Sequence, residues 1–156
     1  MKHITRFKLF LWYFGHCKVR MIGYLRPRLI TLTDKDIVIC LPLKKRSRNH
    51  LNSMYFGALA VGADLAGGLH GFYHADRAQC TISLAFKSFQ AQFSRRPESD
   101  VYFVCTMGDV VKTMIEQAKL TDKRINQHIN INAYTDYLTQ AVEVANFVLE
   151  LSIKVI

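Results

Sequence analysis

The chain has 156 residues, 50% of them hydrophobic, with 21 Lys and Arg against 12 Asp and Glu and a formal charge of +9. That is enough for one domain with a real core, and it excludes a disordered composition. The basic excess predicts attraction to anionic partners, without separating nucleic acid, a membrane surface and a phosphate-bearing ligand.

The first 25 residues read as a helical extension. Phe7 to Phe14 is strongly apolar, but Lys8 interrupts it and His16, Lys18 and Arg20 follow. No uninterrupted run reaches the ~18 apolar residues of a spanning helix, and no small-residue cleavage site of a signal peptide follows. Phe7, Phe10, Leu11, Phe14, Cys17, Met21, Ile22 and Leu25 recur at helical spacing, and Pro27 ends the pattern. One amphipathic helix packed on the body is expected, basic enough to make peripheral contact with lipid as well.

Asp36 to Leu43 puts Ile37, Ile39, Leu41 and Leu43 on one strand face, with Pro42 marking an edge or a strand end. Ser53 is the expected N-cap of the next helix and Gly67-Gly68 its expected end. Thr81 to Phe93 alternates with a change of parity that predicts a bulge near Lys87. Arg95-Arg96-Pro97 turns the chain, and Val101 to Met107 returns as an apolar strand. Gly108-Asp109 opens a short helix, with Asp109 its expected cap and Val110, Val111, Met114, Ile115 and Ala118 on one side. Ile125 to Tyr134 and Glu143 to Ile156 alternate as two further strands. The order is α+β: about five strands and one very apolar helix, in a single domain over residues 1–156 with 1–25 as the extension.

The four cysteines, Cys17, Cys40, Cys80 and Cys105, are scattered. Their spacing suits small buried hydrophobes in a reducing, cytoplasmic setting better than disulfides or a zinc site. His70 and His74 lie four residues apart, but no HExxH accompanies them and the glycines around them argue against a helix, so no metal site is expected.

The central helix carries the functional signal. Gly57, Ala58, Ala60, Gly62, Ala63, Ala66 and Gly67 make it small-sided, and Asp64 is the only charged residue between Ser53 and Leu69. Gly57 and Gly62 imply close approach by a sheet, a partner or a ligand. A buried carboxylate costs several kcal/mol, roughly, unless something compensates. It marks either a reactive site or a pair with a buried arginine or histidine. The helix is apolar nearly all round, which a small domain covers most easily by forming a homodimer, or a dimer of dimers.

A strand, then Asn49, then a helix with Gly57 and Asp64, then antiparallel strands resembles the hotdog fold of acyl-CoA thioesterases, and within it a thioesterase-like subgroup of bacterial proteins. The likeness spans roughly residues 26–156. In that family the helix entrance reads asparagine, two residues, glycine, two residues, histidine, glycine, glycine, with an acid two turns on. Asn49, Gly57 and Asp64 match; Asn52, Tyr55 and Phe56 stand in place of glycine, histidine and the first paired glycine.

The resemblance implies a strongly curved antiparallel sheet around the helix and hydrolysis of acyl-CoA, with CoA arriving only as part of the substrate. It implies the Phe56 backbone N–H as oxyanion donor, Asp64 as general base or nucleophile, and Asn49 holding water or thioester across a dimer interface. Tyr55 would offer a hydroxyl near the carbonyl, or simply pack. Arg95 and Arg96 would hold the CoA phosphates, and the N-terminal and strand aromatics would line an acyl chamber. Hydrolysis needs just such a carbonyl-polarising donor and an activated water. A non-catalytic acyl-CoA or lipid binder keeps the chamber without turnover. A nucleic-acid protein would explain the charge but leaves Asp64 without a role, and no recognised nucleic-acid motif is present.

Overall fold

The structure, a computed structural model, describes residues 2–156. Helix α1 (Lys2–Tyr13) runs into a π-helical turn over Phe14–Lys18, and α2 (Arg20–Leu25) folds back on that turn. One continuous helix was the expectation. The break falls at Val19, which leaves the helical region at φ −128° and ψ 88°. Glycines permit the fold-back, since a Cβ on Gly23 would lie 2.5 Å from the Gly15 carbonyl oxygen. Phe7, Leu11, Ile22 and Leu25 are buried as the periodicity requires, but Cys17 and Met21 face outward because the chain has turned.

Strands β1 (Arg28–Leu32), β2 (Ile37–Leu41), β3 (Ile82–Phe93), β4 (Val101–Cys105), β5 (Ile125–Thr135) and β6 (Val142–Val155) form one antiparallel sheet in the order β1-β2-β4-β5-β6-β3. Six strands replace the five expected. The addition is β1, a short edge strand with only Leu29 buried, which gives no readable alternation. β2 lies between β1 and β4 with every residue buried, so Pro42 marks its end and not a sheet edge. The register of β3 on β6 shifts between Phe86 and Ser88, where the parity change placed a bulge. Helix α4 (Gly108–Thr121) buries Val111, Met114, Ile115 and Ala118. Asp109 lies inside its first turn, and Met107 occupies the cap position without a side-chain capping bond.

Around all this, the sheet curls over α3 (Phe56–Arg77), 22 residues long. The helix begins at Tyr55, not Ser53: Ser53 is buried and its hydroxyl bonds Asn49 in the preceding loop. Nor do Gly67 and Gly68 end it. The Ile129 methyl would sit 2.8 Å from a Cβ on Gly67, so Gly67 leaves room for the sheet, and packing outweighs the intrinsic cost of glycine in the helix. Gly62 is where the sheet comes closest, since a Cβ there would fall 2.2 Å from the ring of Phe103. Of the two approaches expected from glycine, this one is made by the sheet; Gly57 is covered by the ring of Tyr55.

The far end of α3 is fastened to the β1–β2 turn. His70 and His74 donate from Nε2 to the carbonyls of Thr33 and Asp34 at 2.9 and 3.0 Å, and the Tyr73 hydroxyl donates to the Asp34 carboxylate at 2.6 Å. Burial, then the neighbouring His70, pushes His74 down to about 4, so both rings serve as neutral donors. A two-pronged Arg6–Asp76 ion pair, at 2.6 and 3.0 Å, ties α1 to this same end, and Arg46 ties α2 down through the Tyr24 carbonyl and ring. No helix among the described residues is long and apolar enough to cross a membrane.

Candidate active site

Asp64 projects from the middle of α3 into a cavity of about 230 Å³ between that helix, the bulged strand β3 and the N-terminal hairpin. Phe10, Phe14, Val19, Phe72, Leu84 and Phe86 supply most of its wall. The aromatics of the extension and of a strand thus meet around the acid, as the chamber reading expected. No hydrogen bond or ion pair from the described residues reaches the Asp64 carboxylate, so the pairing with a buried arginine or histidine is not made. Burial without compensation pushes its pKa from 3.8 up to about 6. A carboxylate near that value is charged at neutral pH yet a far better proton acceptor than an ordinary one.

The other expected residues collect elsewhere, at the N-terminus of α3. Asn49, Tyr55, Phe56, Arg95 and Arg96 line an open groove of about 530 Å³ with Phe93 and Pro97. The groove is built by the loop between β2 and α3. Ser47 ties it to Pro42, Met54 bonds the carbonyl of Pro97 at 2.9 Å, and Tyr55 bonds that of Ser47 at 2.8 Å. Asn49 organises the same loop: its Oδ1 accepts from the N–H groups of Leu51 and Ser53 and from the Ser53 hydroxyl. The oxygen is therefore committed, while the amide nitrogen has no acceptor among the described residues.

Phe56 and Gly57 begin the helix with backbone N–H groups that no acceptor among the described residues takes up. Such donors are the usual place for developing negative charge. The rings of Tyr55 and Phe56 pack at a tilt, 4.8 Å between centroids, and are 49% and 61% exposed, so both aromatics stand over the groove instead of filling the core. Arg95 and Arg96 are exposed at its rim, with no side-chain partner among the described residues. Eight residues of helix separate Phe56 from Asp64, about 12 Å of rise. One carbonyl cannot touch both groups in a single chain.

No family model matches this chain, and no curated protein does either. Solved structures do. A candidate thioesterase from Shewanella oneidensis superposes with a TM-score of 0.80 at 11% identity, covering 97% of this chain and 98% of its own. A protein of unknown function from Chlorobaculum tepidum gives 0.83 at 9%, over 98% and 94%. A thioesterase from Haemophilus influenzae gives 0.65 at 16%, over 89% and 85%. This is the hotdog fold. At such identities the likeness extends to the fold and no further.

Within the hotdog frame the departures from the helix-entrance pattern acquire a physical reading. Asn52, where glycine is usual, has φ 61°, the left-handed region that glycine favours and asparagine tolerates best among side-chain-bearing residues. The loop bend is thus kept. Tyr55 and Phe56 change the side chains over the groove but leave the Phe56 N–H unobstructed by any hydrogen bond. Sequence reading placed the N-terminal aromatics at a chamber, but it did not find the fold-back that sets them over Asp64 or the partition of the site into two places. The first depends on the turn at Val19 and the second on the direction of the helix axis, and neither leaves a local pattern.

Proposed function

We propose that this hotdog protein hydrolyses acyl thioesters, CoA thioesters foremost, to a carboxylic acid and a free thiol, in a site completed by two copies of the chain. Asp64 carries the reading. A lone carboxylate raised to about 6, facing an apolar cavity of about 230 Å³ with no hydrogen bond or ion pair among the described residues, is matched to taking a proton from water. In the reaction, water adds to the thioester carbon as Asp64 accepts its proton. The carbonyl oxygen becomes negative, the C–S bond breaks, and the proton passes to the departing thiolate. A direct attack by the carboxylate, with water opening the resulting anhydride, uses the same group. Backbone N–H groups of Phe56 and Gly57 stabilise the oxyanion, with the Asn49 amide nitrogen beside them. Thiol release from a panel of short, medium, long and aromatic acyl-CoAs tests this; binding of several without turnover would establish the non-catalytic binder instead.

The separation of about 12 Å between oxyanion donors and acid supports a second copy in the site. So does what one chain leaves unfilled. The strip Phe56, Gly57, Ala60, Val61 is uncovered or half-covered along α3, and the 12-residue edge strand β3 presents Phe89 and Phe93 outward. Long, unprotected edges invite pairing. Sedimentation equilibrium should give a homodimer across the assay concentrations. A monomer with full activity would eliminate the shared site.

Arg95 and Arg96 place two uncompensated cations where the polar end of CoA would leave the groove. Replacing both by glutamine should raise KM for acyl-CoA about tenfold and leave an uncharged short thioester nearly unaffected. Equal losses on the two substrates would count against phosphate recognition.

A further inference from the structure

The basic excess of this protein is not spread over its surface. Residues 1–48 contain 12 of the 21 Lys and Arg but only 2 of the 12 acids, and residues 1–33 contain no acid at all. The remainder of the chain, groove included, is close to neutral. Folding concentrates this half further. Lys8, His16, Arg26, Arg28 and Lys44 surround a basin of about 850 Å³ between the N-terminal hairpin and β1, with Trp12 on its rim. None of these lysines or arginines is ion-paired among the described residues. The charges that are spent structurally lie at its margins, in the Arg6–Asp76 pair and in Arg46 against Tyr24.

The same hairpin exposes large apolar side chains. Leu9, Trp12 and Tyr13 fall on one face of α1 by their spacing and are 66%, 58% and 45% exposed, and Val19, Met21 and Tyr24 are exposed around the turn. A surface that is apolar, aromatic and cationic, with no acid, is complementary to an anionic bilayer, whose headgroups take the cations while the aromatics enter the interface. It is a poor match for RNA or DNA, which offers phosphates but no medium for Leu9 and Met21. Val19 adds a connection to the site: it lines the Asp64 cavity and is itself exposed at the break between the two helices. Val19 is therefore a wall shared by the cavity and this surface.

We infer that the N-terminal hairpin is a docking surface for anionic membranes, and that it sets Val19, the shared wall of the Asp64 cavity, against the lipid. The docking does not depend on thioester hydrolysis, and the two are separable by experiment. Trp12 is the single tryptophan of the chain, so its emission reports this surface alone. The full-length protein is mixed at 0.1 M salt with vesicles of phosphatidylcholine, or of phosphatidylcholine with about a third phosphatidylserine, and assayed by co-sedimentation and Trp12 fluorescence. The expected result is binding at least ~10-fold tighter to the anionic vesicles, a blue shift of Trp12, and weakening with salt. K8Q/R26Q/R28Q/K44Q should lose at least ~10-fold in vesicle binding with unchanged circular dichroism, and D64N should bind like wild type. Equal partition onto both vesicles, or anionic binding with Trp12 emission unmoved, overturns the proposal. So does a single-stranded RNA that shifts Trp12 where vesicles do not, since the basin would then be a nucleic-acid surface.

Discussion

Replacing Asp64 by asparagine should abolish the proposed thioester hydrolysis and make the protein more stable. Among the described residues that line its cavity the carboxylate is the only group able to take a proton, so D64N should lower kcat/KM at least ~100-fold, with substrate binding retained. For the wild type, kcat/KM should climb about tenfold per pH unit up to about 6 and level off above, as the carboxylate ionises. The stability effect has the opposite sign. With a folded pKa of about 6 and an ordinary value of 3.8, the folded state keeps a proton that the unfolded chain has already released between those pH values. Stability from this group is therefore greatest in acid and is lost as pH rises through about 6. At pH 7 the ionised group costs about 2–3 kcal/mol, on ~1.4 kcal/mol per pKa unit, which D64N recovers as a Tm higher by about 5–10 °C. Thiol release and thermal melts across pH 4–8 check both halves. An active D64N would sink the mechanism; an inactive but destabilised one would make Asp64 a structural residue.

Placing valine at Gly62 should come close to unfolding the protein. The added Cβ would lie 2.2 Å from the ring of Phe103, which is itself fully buried and packed against Phe147. Neither ring has anywhere to go, so overpacking should cost about 3 kcal/mol or more. Gly57→Ala is the control. Its nearest neighbour is the Tyr55 ring, 2.5 Å from the new Cβ but half-exposed and able to swing aside, so the cost should stay below ~1 kcal/mol. Urea denaturation of the two variants separates the cases. Similar midpoints would mean that α3 can move away from β4.

What local sequence determined here is what depends on neighbours in the chain. The alternation of Thr81 to Phe93 located both a strand and its bulge, and the apolar side of α4 was legible from spacing alone. Asp64 stood out because an isolated acid among small apolar residues is expensive wherever the helix packs. The resemblance at Asn49, Gly57 and Asp64 supplied the hotdog topology, and the structure bears it out.

Tertiary structure decided the rest. Glycine propensity ends α3 at Gly67, yet Leu84, Phe86 and Ile129 need the space a side chain would fill, so the helix continues to Arg77. β1 has too little apolar pattern to be read and exists because β2 offers it an edge. Helical spacing from Phe7 to Leu25 is the same whether the helix is straight or folded back, and only the contact of Gly15 with Gly23 selects the hairpin that roofs the Asp64 cavity. The separation of Asp64 from the Phe56 N–H is fixed by rise along the helix, but which of them share a reacting carbonyl is a matter of packing between chains, where one sequence carries no distance.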